Sequence, residues 1–230
     1  DKIVAGLNMA SMGVPTYAGP MVDGRIVLES PAEAYAAGRG AKVPLMAGAN
    51  SADIGFAFAK TKDELFKPLG DDAAKAKALY DPDGTLPLPR VAMAFAADQM
   101  MVEPARYIVR TLAAAGQPAY EFRFSYVAES MRKQWAGAPH ATEIPFVFDT
   151  VDARYGKDLA PADKAIAEAA NAYWVHFAKT GNPNGTGLPE WPKYEPAADR
   201  LMDFALEGPT PKADLWKARL DLIDRHASKK

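Results

Sequence analysis

Gly137-Ala138-Pro139-His140-Ala141-Thr142-Glu143-Ile144-Pro145-Phe146-Val147-Phe148 is the stretch from which the rest of the chain is read. Glycine at 137 and prolines at 139 and 145 predict a structured turn around His140, not a regular helix or mid-strand position. An imidazole titrates near neutral pH and can accept and return a proton within one cycle, so a histidine held on such a turn suits general acid–base chemistry. The residues alone leave a second reading open, a loop histidine that bonds only its own turn. His140 and Glu143 also stand at the spacing of a metal pair on a helix. The flanking prolines oppose a helix there and no companion ligands accompany the pair, so neither metal nor cofactor is expected.

Upstream of this loop, residues 120–126 (Tyr-Glu-Phe-Arg-Phe-Ser-Tyr) alternate aromatic and polar side chains and predict a strand. Residues 43–49 (Val-Pro-Leu-Met-Ala-Gly-Ala) form a short apolar run that predicts a strand buried on both faces of a parallel sheet, with Pro44 at its start. It runs into Asn50-Ser51-Ala52-Asp53-Ile54-Gly55-Phe56. Reactive groups of open α/β sheets collect just past the carboxyl ends of strands, which is where Asp53 falls. A surface turn or helix-start aspartate is the alternative.

The His140 stretch resembles the histidine loop of the type-B carboxylesterase and cholinesterase family. The similarity continues in order through Pro20-Met21-Val22-Asp23-Gly24, Ser30-Pro31, Val43-Pro44-Leu45-Met46, Asp98 with Pro104-Ala105-Arg106, and Trp174 through Gly185 to Trp191-Pro192-Lys193-Tyr194. The resemblance implies an α/β fold, the C-terminal part of an α/β-hydrolase, with residues 1–230 forming part of one domain and the nucleophile elbow outside them. It implies carboxylic ester hydrolysis by a Ser-His-acid triad, with His140 as the base and Asp53 as the acid. The acid precedes the histidine by 87 residues, which fits the α/β-hydrolase order of serine, acid, histidine. Glu143 is read as anchoring the loop and Phe56 as able to reach an apolar substrate pocket.

Two departures stand out. The family's glutamate followed directly by glycine is Asp53-Ile54-Gly55 here, and the glycine often found after the histidine is Ala141. They keep alive a rival reading, a cholinesterase-like binding or adhesion module without catalysis. A solute-binding or purely structural α/β domain is a third reading, and it gains nothing from the histidine loop. Ser51 is not the nucleophile: an elbow needs glycine two residues either side, and those positions are Ala49 and Asp53. No G-x-S-x-G occurs in the chain, so the isolated chain is expected to be inactive and its serine to come from a preceding N-terminal part.

Composition narrows the alternatives. The 230 residues carry a formal net charge of -2 without a basic cluster, which argues against a nucleic-acid surface. No apolar run approaches the length of a membrane span. Zero cysteines exclude disulfides, zinc-thiolate sites and a cysteine nucleophile, and leave the compartment open. The resemblance is compatible with a secreted or periplasmic location. The implied partners are a small ester substrate and either the N-terminal part of the same protein or another copy.

The remaining segments fill in the frame. Residues 1–39 read as irregular except for a short helix over 33–37 ended by Gly38. Thr61-Lys62-Asp63-Glu64 opens a helix with a capping-box pattern, and residues 73–80 continue the helical character. Residues 89–115 predict two helices broken near Glu103-Pro104, the second burying Ile108, Thr111, Leu112 and Ala115. Residues 161–179 give the clearest helix, with Ile166, Ala170, Tyr173, Trp174 and Phe177 on one face and Gly181 past its end. Residues 201–204 predict a short strand and 212–226 a terminal helix. Phe56, Phe58, Phe146 and Phe148 are expected mostly in the core, His176 in packing or capping, and His226 in a frayed terminus.

Overall fold

The structure, a computed structural model, describes residues 22–227, so Pro15, Gly19 and Pro20 of the irregular segment lie outside the described residues. The described residues divide into two compact units, one ending at residue 41 and one beginning at residue 42. In the first, the Asp23 carboxylate accepts the backbone N–H groups of Arg25, Ile26 and Val27 at 2.9–3.0 Å and closes a turn. Helix α1 (Pro31–Ala36) follows. Ser30 Oγ accepts Glu33 N–H, and the Glu33 carboxylate accepts Ser30 N–H in return, a reciprocal cap that lets the helix begin two residues earlier than expected. Gly38, at φ 69, lies just past its end.

The second unit is a sheet with helices on both faces. It runs β1 (Leu45–Asn50), α2 (Lys62–Phe66), α3 (Ala73–Tyr80), α4 (Leu88–Ala97), α5 (Glu103–Ala114), β2 (Ala119–Phe124), α6 (Ile144–Val147), α7 (Val151–Tyr155), α8 (Pro161–Thr180), β3 (Arg200–Ala205), β4 (Gly208–Ala213) and α9 (Lys217–Ala227). Among the described residues four strands pair in the order β1-β2-β3-β4, the first two pairings parallel and the last antiparallel.

The two faces of the sheet are chemically opposite. Tyr120, Phe124, Met202 and Phe204 point into an aromatic core with Ala170 and Tyr173 of α8 and Phe146 of α6. Its hub is Trp191, fully buried, with the rings of Tyr120, Phe122, Tyr173, Trp174 and Phe204 at 5.3–6.4 Å. Its indole N–H donates to Glu121 O at 3.0 Å, so its single polar atom is satisfied. The opposite face of β2 and β3 carries Glu121, Arg123 and Asp203, all buried. Arg123 donates to Asp214 at 3.1 Å and stacks on Trp216, whose ring also holds Arg219, each guanidinium 3.8 Å from the ring centre.

Behind this face sits a buried ion cluster. Arg106 of α5 donates to Glu103 at 3.0 Å, to both oxygens of Asp199 at 3.2 and 2.6 Å, and to Asp221 of α9 at 2.5 Å. Here the sequence pattern misleads: α5 buries Glu103, Arg106, Val109 and Leu112, while Ala115 is exposed and Ile108 and Thr111 are half-buried. The carboxylates of two other segments compensate the Arg106 charge, and they cannot be seen in the helix's own periodicity. The same holds for β2, where alternation predicts one wet face and both are buried.

Other differences have local causes. α4 and α5 are joined by a π turn, Asp98–Val102, in which Glu103 N–H reaches back to Asp98 O. Pro104 lacks an N–H and its ring would crowd the preceding turn of a regular helix; the widened turn relieves both. β4 is absent from the sequence reading because Pro209 and Pro211 oppose a strand. They stand opposite Phe204 and Met202, two residues apart, so both missing donors fall on the outer side of an edge strand. Consequently α9 starts at Lys217, five residues after the expected start. Of the four phenylalanines placed in the core, only Phe146 is buried; Phe56, Phe58 and Phe148 are exposed. His226 is not frayed: its Nε2 lies 3.0 Å from Asp72 Oδ2.

Burial without an adequate partner pushes the Glu121 carboxyl up to about 8, and its Oε2 has no hydrogen-bond partner among the described residues. Between its ordinary value of 4.5 and about 8, the folded chain keeps a proton that the unfolded chain has lost. The resulting stability is complete below 4.5 and is lost as pH rises through about 8. Urea unfolding across this range is expected to show Glu121→Gln removing a decline on the order of a few kcal/mol.

Candidate active site

The site is assembled where β1 ends. Ser51 N–H still donates to Phe124 O of β2, at 2.9 Å, as a strand residue would. The next N–H, that of Ala52, donates instead to Ala138 O of the histidine loop at 2.9 Å, and Ala52 and Pro139 form a parallel bridge. Within one residue β1 changes neighbours, from a strand to the loop that carries His140. Ser51 Oγ accepts Ala138 N–H at 2.9 Å, so the serine fastens this junction and is not poised as a nucleophile. Gly137 fits here because a Cβ would lie 2.9 Å from Ser51 Oγ and 3.1 Å from the Ala52 Cβ.

Asp53 and His140 meet at this junction. Asp53 Oδ1 lies 2.6 Å from His140 Nδ1. The same oxygen accepts Ile54 N–H at 2.7 Å, and Oδ2 accepts Asn50 N–H at 2.9 Å. A carboxylate has only acceptor oxygens, so the shared proton belongs on Nδ1 and the neutral ring presents an acceptor at Nε2. Asp53 is 4% exposed, while half of the His140 side chain is open. Nε2 has no protein partner among the described residues. Such a pair can take a proton at Nε2 and return it.

Gly55 lies so close to α4 that a Cβ would meet Ala97 N at 2.2 Å and the Ala96 carbonyl carbon at 2.4 Å. Gly55 thus packs directly on the backbone of α4, two residues after Asp53. Glu143 is placed on the same assembly: its Oε2 accepts Asn50 Nδ2 at 2.5 Å. Asn50, a buried residue that sequence reasoning passed over, also donates from Nδ2 to Pro139 O at 2.6 Å. The only signal for it was its place at the carboxyl end of an apolar run. Phe56 is exposed, as are Ile144 and Phe148 beyond the histidine. Among the described residues no group of acidic and histidine side chains could hold a metal ion, and no helix is long and apolar enough to cross a membrane.

The model of the carboxylesterase family matches residues 84–222. The chain belongs to that family. Carboxylesterase 4A of Bos taurus is 28% identical over 204 residues, covering 77% of this chain and 36% of its own length. Liver carboxylesterase 1 of Oryctolagus cuniculus is 26% identical over 203 residues, 76% of this chain and 35% of its own length. The chain therefore spans about a third of the length of these relatives. The crystal structure of Aspergillus niger EstA superposes with a TM-score of 0.70 at 20% identity, over 92% of this chain and 44% of that one. A PNB esterase structure gives 0.72 at 21% identity, over 90% and 44%. The α/β-hydrolase fold read from the sequence is thus the fold observed, and the four strands and their helices form a portion of it.

The residue after His140 has an unusual backbone. Ala141 sits at φ 65, a left-handed conformation that glycine adopts freely and alanine at a cost of roughly 1 kcal/mol. Ala141→Gly is expected to leave stability unchanged or raise it by up to about 1 kcal/mol, since the freer unfolded chain offsets part of the relief. Ala141→Val, β-branched at the same angle, is expected to lower it by about 1–3 kcal/mol in thermal unfolding.

Proposed function

We propose that this chain is the C-terminal part of one α/β-hydrolase domain in a carboxylic ester hydrolase, to which it supplies the acid and the base. Asp53 fixes the tautomer of His140, and His140 Nε2 takes the proton of a serine hydroxyl as that oxygen attacks the ester carbonyl. The same nitrogen then protonates the departing alkoxide. The serine and the oxyanion-hole donors come from a part of the protein outside this chain, and backbone N–H groups there carry the negative charge that develops on the carbonyl oxygen. The observation that carries this reading is the 2.6 Å contact between Asp53 Oδ1 and His140 Nδ1, on a ring whose other nitrogen has no protein partner among the described residues. Membership of the carboxylesterase family supports the ester as the substrate class.

The intact protein carrying this chain is expected to hydrolyse p-nitrophenyl acetate. His140→Ala and Asp53→Asn should each reduce kcat by roughly 10⁴-fold or more without unfolding it. The 230-residue chain by itself should show no turnover above its His140→Ala control. Full activity in Asp53→Asn would remove the aspartate from the mechanism.

We further propose that β1 pairs on its outer side with the N-terminal part of the same protein. Among the described residues β1 pairs with no strand but β2, and Leu45–Gly48 are half-buried although apolar. An unpaired strand edge of this kind attracts another strand. In solution the isolated chain is expected to self-associate, and co-expression with the N-terminal part should give a one-to-one complex in light scattering. A monodisperse monomer of the chain alone would overturn this.

A further inference from the structure

Asn50 is the last residue of β1 and is 3% exposed. Its backbone N–H donates to Asp53 Oδ2 at 2.9 Å. Its side-chain amide donates one hydrogen to Pro139 O at 2.6 Å and the other to Glu143 Oε2 at 2.5 Å. A primary amide has two donors, and both land on the histidine loop, one residue before His140 and three after it. From this geometry we infer that Asn50 is a positioning residue for the acid–base pair. Its main chain holds the acid while its side chain holds both flanks of the base, so one residue sets the separation between the two. The inference rests on the reading of Asp53 and His140 as acid and base.

The loop is attached without Asn50. Ala52 N–H donates to Ala138 O, Ala138 N–H to Ser51 Oγ, and Thr142 Oγ1 to Pro139 O. What Asn50 adds is a link from the acid turn to both sides of His140, which those bonds do not supply. The chemistry is selective. Aspartate would set a carboxylate against the Pro139 carbonyl and the Glu143 carboxylate, and serine offers a single, shorter donor. Half of the His140 side chain is open, so the hydrogen-bonded frame beneath it bears on where Nδ1 stands relative to Asp53.

The test uses the intact protein with ring-15N histidine, the His140 signal assigned by its loss in His140→Gln. At a pH where the ring is neutral, the parent is expected to show the Nδ1-protonated tautomer, pinned by Asp53. In Asn50→Ala the signal should move to a mixture of the two tautomers. Tyr173→Phe, which removes a bond to Pro189 O that involves neither Asn50 nor the His140 loop, should lower the melting temperature without moving that signal. Turnover should separate the same way, with kcat falling about 10–100-fold and KM staying within about twofold in Asn50→Ala. If Asn50→Ala does not fold, Asn50→Ser and Glu143→Ala are read instead, and each should shift the tautomer in the same direction by less. A parental tautomer ratio in every folded variant overturns the inference, as does a loss confined to KM. A tautomer that responds to Asn50 in a protein without esterase activity would uphold the positioning role and reject the esterase.

Discussion

A carboxylate and an imidazole 87 residues apart in the chain meet at 2.6 Å because β1 changes hydrogen-bond partner at its carboxyl end. Ser51 is bonded to β2 and Ala52 to the histidine loop, so the chain from 125 to 137 must leave the sheet and return beside β1. That excursion is held at its far side by Asp163 of α8, buried in the core, whose carboxylate accepts Tyr126 OH at 2.7 Å and Glu129 N–H at 2.9 Å. The same side chain accepts Ala160 N–H at 3.0 Å and so caps its own helix. The best helix of the chain and the loop that delivers His140 are thereby set by one carboxylate.

The faces of the sheet divide the work of holding this frame. On the α8 side, aromatic packing around Trp191 supplies area removed from water, the dominant favourable contribution in folding. On the α5 and α9 side, charges predominate, and buried ion pairs roughly break even against apolar packing of the same volume. Burial works against the Arg106 charge, but its bonds to Asp199, Glu103 and Asp221 outweigh that and raise its pKa. The same partnership holds Asp199 low against its own burial. What the charged face adds is direction. α9 fits in one position only, with Asp221 on Arg106, Asp224 on Arg110 and Arg219 on both Asp98 and Trp216.

Where a signal was local, the sequence carried it. The alternation of residues 120–126, the apolar stripe of α8 with Gly181 behind it, and the prolines around His140 each reflect a constraint within a few residues. The charged positions of α5 and β2, the strand β4 and the exposure of Phe56, Phe58 and Phe148 depend on neighbours from distant segments, and local patterning is silent about those. Asn50 belongs with them. An asparagine after an apolar run reads as a turn residue, and only the return of the histidine loop gives its amide two acceptors. Gly55 packs against α4 and Asp53 reaches the His140 ring, with Ile54 between them, an arrangement that local patterning does not disclose.

Among the described residues the two edges of the sheet are not equivalent. β4 is protected as natural edges are: Pro209 and Pro211 remove outward donors, and Lys212 places a charge at its end, paired with Asp203. β1 has none of these devices. Leu45-Met46-Ala47-Gly48-Ala49-Asn50 carries no charge and no proline, and it lies next to a buried strand. Such a sequence suits the interior of a parallel sheet, where both sides of the backbone are bonded. The acid turn hangs from the end of this strand, so anything that pairs with β1 also braces Asp53. Pairing of β1 and alignment of the proposed acid with its histidine are therefore one structural problem, and a partner that completes the sheet would at the same time stiffen the site.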